Sequence, residues 1–594
     1  MLRSLLQTKS VDEILAAADD PHGGGLKRSL GPWSITLLGI GAIIGTGIFT
    51  TVGTAAAGDA ERLGAGPSLT LSFVITAVVC GFTALCYAEF ASSVPISGSA
   101  YTYSYATMGE LVAWIIGWDL MIEYAIGNVA VAIGWAAHFR RVLEIIGVHV
   151  PAWISTDYRT ASLLKVADPA EYARQFADAP AILGRPIILN LLAFAIVMLI
   201  TVVLVWGVKE SARFNAVMVI IKVLVLVFFV GVALYLVPTS TMVHNWRPFQ
   251  PRGWHGTLAG AAVVFFAYIG FDAVSTVAEE TKNPGRDLPI GIFASLIVCT
   301  IFYIVIAAAF TGMLPFADLR GLSPAEMAEP LPVALTRAAP NFRWTNLIVG
   351  IVAAGAVVAQ TAVLLVYQMG QPRIFFSMAR DGLLPPVFAK IHPRFKTPYV
   401  TTIMTGLLVG GTATFASIDE MVDLTNIGTL FAFILVCIGI PILRHTDPGR
   451  VRPFRVPLGP YFLPMLGMGS CLFLMFYLPP SSWWRFIGWL VLGLAVYFSY
   501  GYVHSAIGGK LGRPRHAPLA LRLASSGFLL AAVGLFVVPH KSGPPRLVSA
   551  SLSAADPEHL RSAIGLGMLA LGLACGVAGM ARVASRGGSA DELV

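Results

Sequence analysis

The chain has 594 residues and a net charge of +8; 56% of them are hydrophobic and only 12% are Asp, Glu, Lys or Arg, about half the charged share of an ordinary soluble domain. That balance excludes a soluble globular protein. The 59 Gly and 37 Pro are dispersed through apolar segments, which excludes a collagen-like or low-complexity chain as well.

In chain order, eleven predicted spans contain no charged residue: 29–58, 63–88, 186–208, 288–317, 344–372, 397–418, 424–443, 456–484, 486–509, 523–540 and 562–581. Each has the roughly 17–25 residues that a helix needs to cross a ~30 Å hydrocarbon layer. Three more carry charges inside them: 109–139 (Asp119, Glu123), 214–238 (Lys222) and 256–278 (Asp272). The pattern predicts an all-α, multi-pass membrane protein with fourteen transmembrane helices.

Residues 1–30 hold Asp12, Glu13, Asp19 and Asp20 and no apolar run, so they do not read as a cleavable signal peptide. With a cytoplasmic N-terminus, 23 Lys and Arg fall on the cytoplasmic side and 16 outside. Most of the outside ones sit in longer loops among acidic residues, where the positive-inside bias is weak. Both termini are therefore expected in the cytoplasm. Basic loops beside anionic lipid account for the net charge, with no nucleic acid partner.

The segment 373–396 mixes five basic residues with apolar ones and predicts amphipathic helices at the membrane interface. All six Cys fall inside apolar segments without a C-x-x-C spacing, which reads as packing and not as a disulfide framework or zinc site. The scattered His read as solvated or interfacial, and Trp33, Trp483, Trp484 and Trp489 as interfacial anchors. Phosphate-loop, H-E-x-x-H and G-x-S-x-G patterns are absent, so neither ATP-driven pumping nor the commonest hydrolase chemistry is expected and the protein is not read as an enzyme.

Two spans break the rules for a membrane helix. In the first, Gly39, Gly41, Gly45 and Gly47 crowd the sequence LLGIGAIIGTGIF, each costing roughly 1 kcal/mol of helix propensity against Ala. They read either as an unwound stretch or as a close helix-packing face. In the sixth, Gly270 stands beside Asp272 in FFAYIGFDAVSTVAEE. Interruptions five helices apart point to an inverted-repeat transporter with its site near the midplane. A half-helix N-terminus favours a carboxylate, while unwound carbonyls favour an ammonium. An α-amino acid supplies both groups.

Lys222 lies nine positions into its span, roughly 14 Å deep in the ~30 Å core. An ammonium at that depth is either paired, with Glu123 or Asp272 as candidates, or titrates and couples protons to transport. Asp119, one turn before Glu123, reads as part of a polar seam or a helix contact.

Four ordered motifs, LKRSLGPWSITLLGIGAIIGTGIF, ALCYAEFASSVPISGSAYTYSYATMGELVAWIIGWDLMIEY, FFAYIGFDAVSTVAEETKNPGRDLPIGI and GQPRIFFSMARDGLLP, closely resemble the cationic amino acid transporter branch of the amino acid-polyamine-organocation superfamily. The resemblance spans residues 27 to about 445 and implies a 5+5 inverted-repeat core with discontinuous helices one and six, followed by four C-terminal helices. It divides the chain into a cytoplasmic segment 1–30, repeats at 31–240 and 241–445, the extra helices at 446–582 and a tail at 583–594. By the motif, the substrate carboxylate meets backbone at Ile43, Gly45, Thr46 and Gly47, and the amino group meets carbonyls around Phe266, Ala267 and Ile269. Lys222 matches a helix-five lysine that stands in for a sodium ion in proton-coupled members. Glu123 matches an acidic position near the pocket, and Gln360 a helix-eight position that limits the substrate side chain. The sequence Trp33-Ser34-Ile35 departs from the Asp-Leu usual there.

The expectation is a proton-coupled amino acid symporter of the bacterial inner membrane, working by alternating access. Its partners are the amino acid and membrane lipid, Lys222 and Asp272 serve the coupling, and the proton is the coupling ion with no cofactor or metal. The alternatives are an exchanger of amino acids or polyamines, and a non-transporting amino acid sensor.

Overall fold

A computed structural model describes residues 5–12, 28–59, 62–96, 99–182, 185–207, 212–510, 519–537 and 568–578. The predicted loop 541–561 and the tail 583–594 lie outside the described residues. Eight helical stretches are long and apolar enough to cross a membrane: Gly66–Ser93, Glu110–Ile145, Asn215–Leu236, Gly253–Glu280, Pro284–Met313, Thr345–Arg380, Ile418–Thr446 and Pro480–His504. Shorter apolar helices occupy the other six predicted spans. Strand is confined, among the described residues, to a two-residue antiparallel pair, Ala181–Ile182 with Arg185–Pro186.

The first span is built from α1 (Pro32–Ile43), α2 (Thr46–Phe49) and α3 (Thr51–Ala57). Then follow α4 (Leu69–Ser93), α5 (Ser99–Thr107), α6 (Glu110–Ile145), α7 (Leu191–Val205) and α8 (Ala212–Leu236). The sixth span opens with α9 (Gly253–Val264), and α10 (Pro284–Met313), α11 (Thr345–Arg380), α12 (Tyr399–Phe415) and α13 (Ile418–Thr446) complete the centre. Beyond it lie α14 (Phe462–Met475), α15 (Pro480–Val496) and α16 (Leu519–Val537).

Helices in this chain sort by burial and not by amphipathic pattern, because lipid is as apolar as the core. The sixth span is enclosed by its neighbours, whereas α8 turns Leu224, Val227 and Leu234 outward at more than half exposure. Helices five positions apart lie side by side: α4 along α10, α6 along α11 and α7 along α12. The helix α15 is clamped to α6, where the Trp114 indole donates to the Gly493 carbonyl at 2.9 Å and Trp118 stacks on Trp489 at 4.5 Å.

Three expectations need correction. The segment 373–396 does not form separate amphipathic helices: α11 continues through Pro372 to Arg380, and only a short 3-10 turn, Pro386–Ala389, follows. Trp489 is a helix contact, held by its stack on Trp118 and by donating to the Trp118 carbonyl at 3.0 Å. Among the described residues, Cys575 is exposed while the other five Cys are buried, so the packing expectation holds for those five.

Candidate substrate site at two broken helices

The first span comes apart after Ile43. Ile44 (φ −75°, ψ 104°) and Gly45 (φ −160°, ψ −138°) leave the helical region, and the chain winds again from Thr46. The Ile44 N–H closes the last turn of α1 on the Ile40 carbonyl at 2.9 Å. The carbonyls that follow have no donor four residues on. Side chains from other helices take their place: the Lys222 ammonium nitrogen lies 2.6 Å from the Gly41 oxygen, and the Tyr303 hydroxyl 2.9 Å from the Ile43 oxygen.

The sixth span breaks in the same manner. After α9 comes a 3-10 turn, Phe265–Tyr268, then extended Ile269, then Gly270 at φ +123°, a left-handed conformation that a side chain resists. The Gly270 N–H donates to Asp272 Oδ1 at 3.1 Å, and a second 3-10 stretch, Asp272–Glu280, follows. The Tyr303 hydroxyl is also 2.8 Å from the Ala267 oxygen, and the Asn426 amide on α13 donates to the Ala262 carbonyl at 2.8 Å.

The two breaks touch. A Cβ at Gly47 would fall 2.2 Å from Ala267 Cα, and one at Gly270 would fall 2.9 Å from the Ala42 carbonyl. Bare peptide groups of one helix therefore face those of the other.

On α6, Gly134 opens the wall beside this contact: a Cβ there would come within 3.0 Å of Thr46 Cγ2 and Thr50 Oγ1 and 3.4 Å of Gln360 Nε2. Gln360 donates to Thr50 at 3.3 Å, while Gln360 Oε1 and Thr46 Oγ1 are buried without a hydrogen-bond partner among the described residues. Such orphaned acceptors are rare in a folded interior. One turn further along, His138 is fully buried, with Nδ1 2.9 Å from the Gly134 carbonyl and its ring edge-on to Phe49. It is not the interfacial residue that its place near the end of a span suggested.

Glu123 meets the sixth-span break from another part of α6. It is eleven residues, roughly 16 Å of helix, from Gly134, in the wall of a small enclosed cavity with Tyr124, Tyr367, Gly270 and Asp272. Its Oε2 has no hydrogen-bond partner among the described residues. The predicted residues thus gather around the two breaks: Ile43, Gly45, Thr46, Gly47, Phe266, Ala267 and Gln360 where the breaks touch, Lys222 on the end of α1, and Ile269 with Glu123 and Asp272 at the cavity beside Gly270. Asp119 is a buried helix contact against Gly428 of α13.

Tyr303 and Asn426 were not singled out from sequence, although each offered a signal. A polar tip deep inside an otherwise apolar span must find a partner, and the usual partner is a freed backbone carbonyl.

Interrupted membrane helices whose freed peptide groups meet are the arrangement of a membrane transporter's binding site. The chain belongs to the amino acid permease family, which matches residues 30–497. It is 44% identical over 508 residues to the branched-chain amino acid permease BcaP of Bacillus subtilis (strain 168), covering 85% of this chain and all of that protein. A methylthioribose transporter of the same organism is 40% identical over 506 residues, again 85% of this chain and all of the relative. The vacuolar cationic amino acid transporter 4 of Arabidopsis thaliana is 36% identical over 455 residues, 76% of this chain and 68% of the plant protein.

Proposed function

We propose that the protein carries an amino acid with an uncharged side chain across the bacterial inner membrane, in symport with protons. The observation that carries this reading is the contact between the two breaks. Backbone N–H groups at Gly45, Thr46 and Gly47 suit a carboxylate, and carbonyls at Phe266, Ala267 and Ile269 suit an ammonium. The cluster of Gly134, Thr46, Thr50 and Gln360 adds dipoles but no charge, so it offers nothing to pair with the end of a Lys or Arg side chain. The likeness to a branched-chain amino acid permease agrees with that choice.

In this reading all fourteen apolar segments cross the membrane, both termini are cytoplasmic and the core is two inverted repeats, 31–240 and 241–445. The side-by-side pairing of helices five apart supports the repeat. Alternating access moves spans one, two, six and seven against the rest. It must undo ties at both ends in turn, the Arg62–Asp423 ion pair (2.6 Å) at one and the Lys9–Asp381 ion pair (3.1 Å) at the other. Lys222 releases its proton as its hold on Gly41 loosens, which links proton release to substrate release. Glu123 and Asp272 line the route at the cavity beside the sixth-span break.

A second reading takes its support from the orphaned Thr46 Oγ1 and Gln360 Oε1, which suit the hydroxyls of a ligand such as methylthioribose. A thermal-shift screen against the twenty amino acids and methylthioribose separates the two, since a ligand bound only by the folded state raises its apparent stability. Stabilisation by aliphatic amino acids and not by Lys or Arg is the expected result. Stabilisation by methylthioribose alone, or by cationic amino acids alone, overturns the first reading.

A further inference from the structure

The motif TKNPGRDLP opens α10, and the transport site makes no use of it. A groove of about 990 Å³ runs along the outer side of this helix, with Arg28, Lys282 and Arg286 at its rim. The backbone sets that rim. A bridge between Leu30 and Thr281, with the Lys282 N–H donating to the Leu30 carbonyl at 2.9 Å, holds the Arg28 strand of chain beside Lys282. Among the described residues, none of the three basic side chains forms an ion pair, and no acidic side chain lines the groove. Asp287, in the first turn of α10, is buried.

Below the rim the groove is apolar. Ile290, Phe293 and Ile297 follow one another at helical spacing on one face of α10, and Ile290 and Ile297 are 41% and 58% exposed. The opposite wall is the loop after α13. A Cβ at Gly285 would fall 2.7 Å from Pro453, and Phe454 packs on Phe293 with ring centroids 5.8 Å apart.

We infer that this groove binds an anionic phospholipid, its headgroup phosphate between Arg28, Lys282 and Arg286 and an acyl chain along Ile290, Phe293 and Ile297. Length decides for a lipid over a soluble anion. From Arg286 to Ile297 is eleven residues, roughly 16 Å of helix, which matches the ~15 Å depth of one leaflet of a ~30 Å core. A free phosphate would use the rim and leave the apolar face bare. Guanidinium and ammonium groups supply charge-assisted bonds to phosphate oxygens, and basic pockets beside membrane helices hold anionic headgroups in this way. The inference rests on the proposed orientation only in placing the groove in the cytoplasmic leaflet.

The test is lipid retention by the full chain, read by native mass spectrometry after exchange into phosphatidylglycerol and phosphatidylcholine mixtures. It measures no transport, so its failure and that of the transport reading are distinct. Wild type retains phosphatidylglycerol over phosphatidylcholine by about tenfold or more, and the Arg28→Gln/Lys282→Gln/Arg286→Gln variant loses that preference. An Arg380→Gln/Arg394→Gln control keeps it, and millimolar inorganic phosphate does not displace the lipid. Equal retention by wild type and the triple variant overturns the site, as does equal loss in the control, and displacement by phosphate alone overturns the lipid in favour of a soluble anion. Should the triple variant not fold, the wild-type preference decides: a ratio near one for the two lipids overturns the inference.

Discussion

The hydroxyl of Tyr303 lies 2.9 Å from the carbonyl oxygen of Ile43 and joins the end of α1 to the seventh span. The same hydroxyl is 2.8 Å from the Ala267 oxygen of the sixth span, so one proton serves the loose ends of both broken helices. In the proposed transport reaction the substrate ammonium takes over this place at Ala267. Tyr303→Phe keeps the ring and its packing against Phe73 and Tyr268 but leaves two buried carbonyls without that donor. Each orphaned group costs roughly 1–3 kcal/mol. The variant is expected to fold with a lower Tm and to transport at least about tenfold less efficiently, measured as kcat/KM for uptake. Wild-type uptake by Tyr303→Phe removes Tyr303 from the site.

The approach of Gly47 to Ala267 gives a sharper steric test. A methyl group 2.2 Å from a backbone Cα cannot be absorbed by a side-chain rotation, so the two breaks must separate. Gly47→Ala should abolish substrate-induced thermal stabilisation and uptake together. Gly231→Ala, at a position with nothing within 4 Å of the added carbon, should transport like wild type and gain slightly in helix propensity.

Outside the membrane-spanning segments, Asp157 caps the helix Tyr158–Ala167 by accepting the Thr160 N–H at 2.7 Å. Burial pushes its carboxyl up from 3.8 to about 7, against the lowering effect of that hydrogen bond. The folded state therefore holds a proton that the unfolded chain releases. Stability is lost as pH rises from about 4 to about 7 and changes no further above, a difference on the order of 4 kcal/mol by linkage. Asp157→Asn keeps a capping side chain without the titration. Its apparent Tm should match wild type near pH 4 and exceed it at pH 8, and parallel curves across that range would refute the assignment.

Much of this architecture was legible in the residues because membrane helices announce themselves by apolar length. The breaks were legible in part, since Gly45 and Gly270 put poor helix formers, and Asp272 a charge, inside apolar spans, while the glycines of the first span read equally as a packing face. What sequence could not supply was the identity of partners. Lys222 reads as a partner of Glu123 or Asp272 or as a titrating group in contact with helix one; its nitrogen reaches the Gly41 carbonyl of helix one, and which backbone oxygen a break frees leaves no mark in composition. Tyr303 is easily passed over, because inside FYIVIAAAF its ring counts as one more hydrophobe although its hydroxyl needs a partner. Gln360 and Glu123 were both associated with the pocket, and only the structure assigns Gln360 to the first break and Glu123 to the second. Trp489 met another Trp, Trp118, where the sequence pattern suggested lipid headgroups.

The most direct measurement is uptake of a radiolabelled aliphatic amino acid into proteoliposomes with an imposed inward proton gradient, sodium being absent throughout. Wild type should accumulate the substrate above equilibrium and lose the accumulation when the gradient is collapsed by a protonophore. Lys222→Ala, which removes the group that reaches Gly41, should show no accumulation. Uptake that requires sodium, or gradient-driven accumulation by Lys222→Ala equal to wild type, would contradict proton coupling through the end of α1.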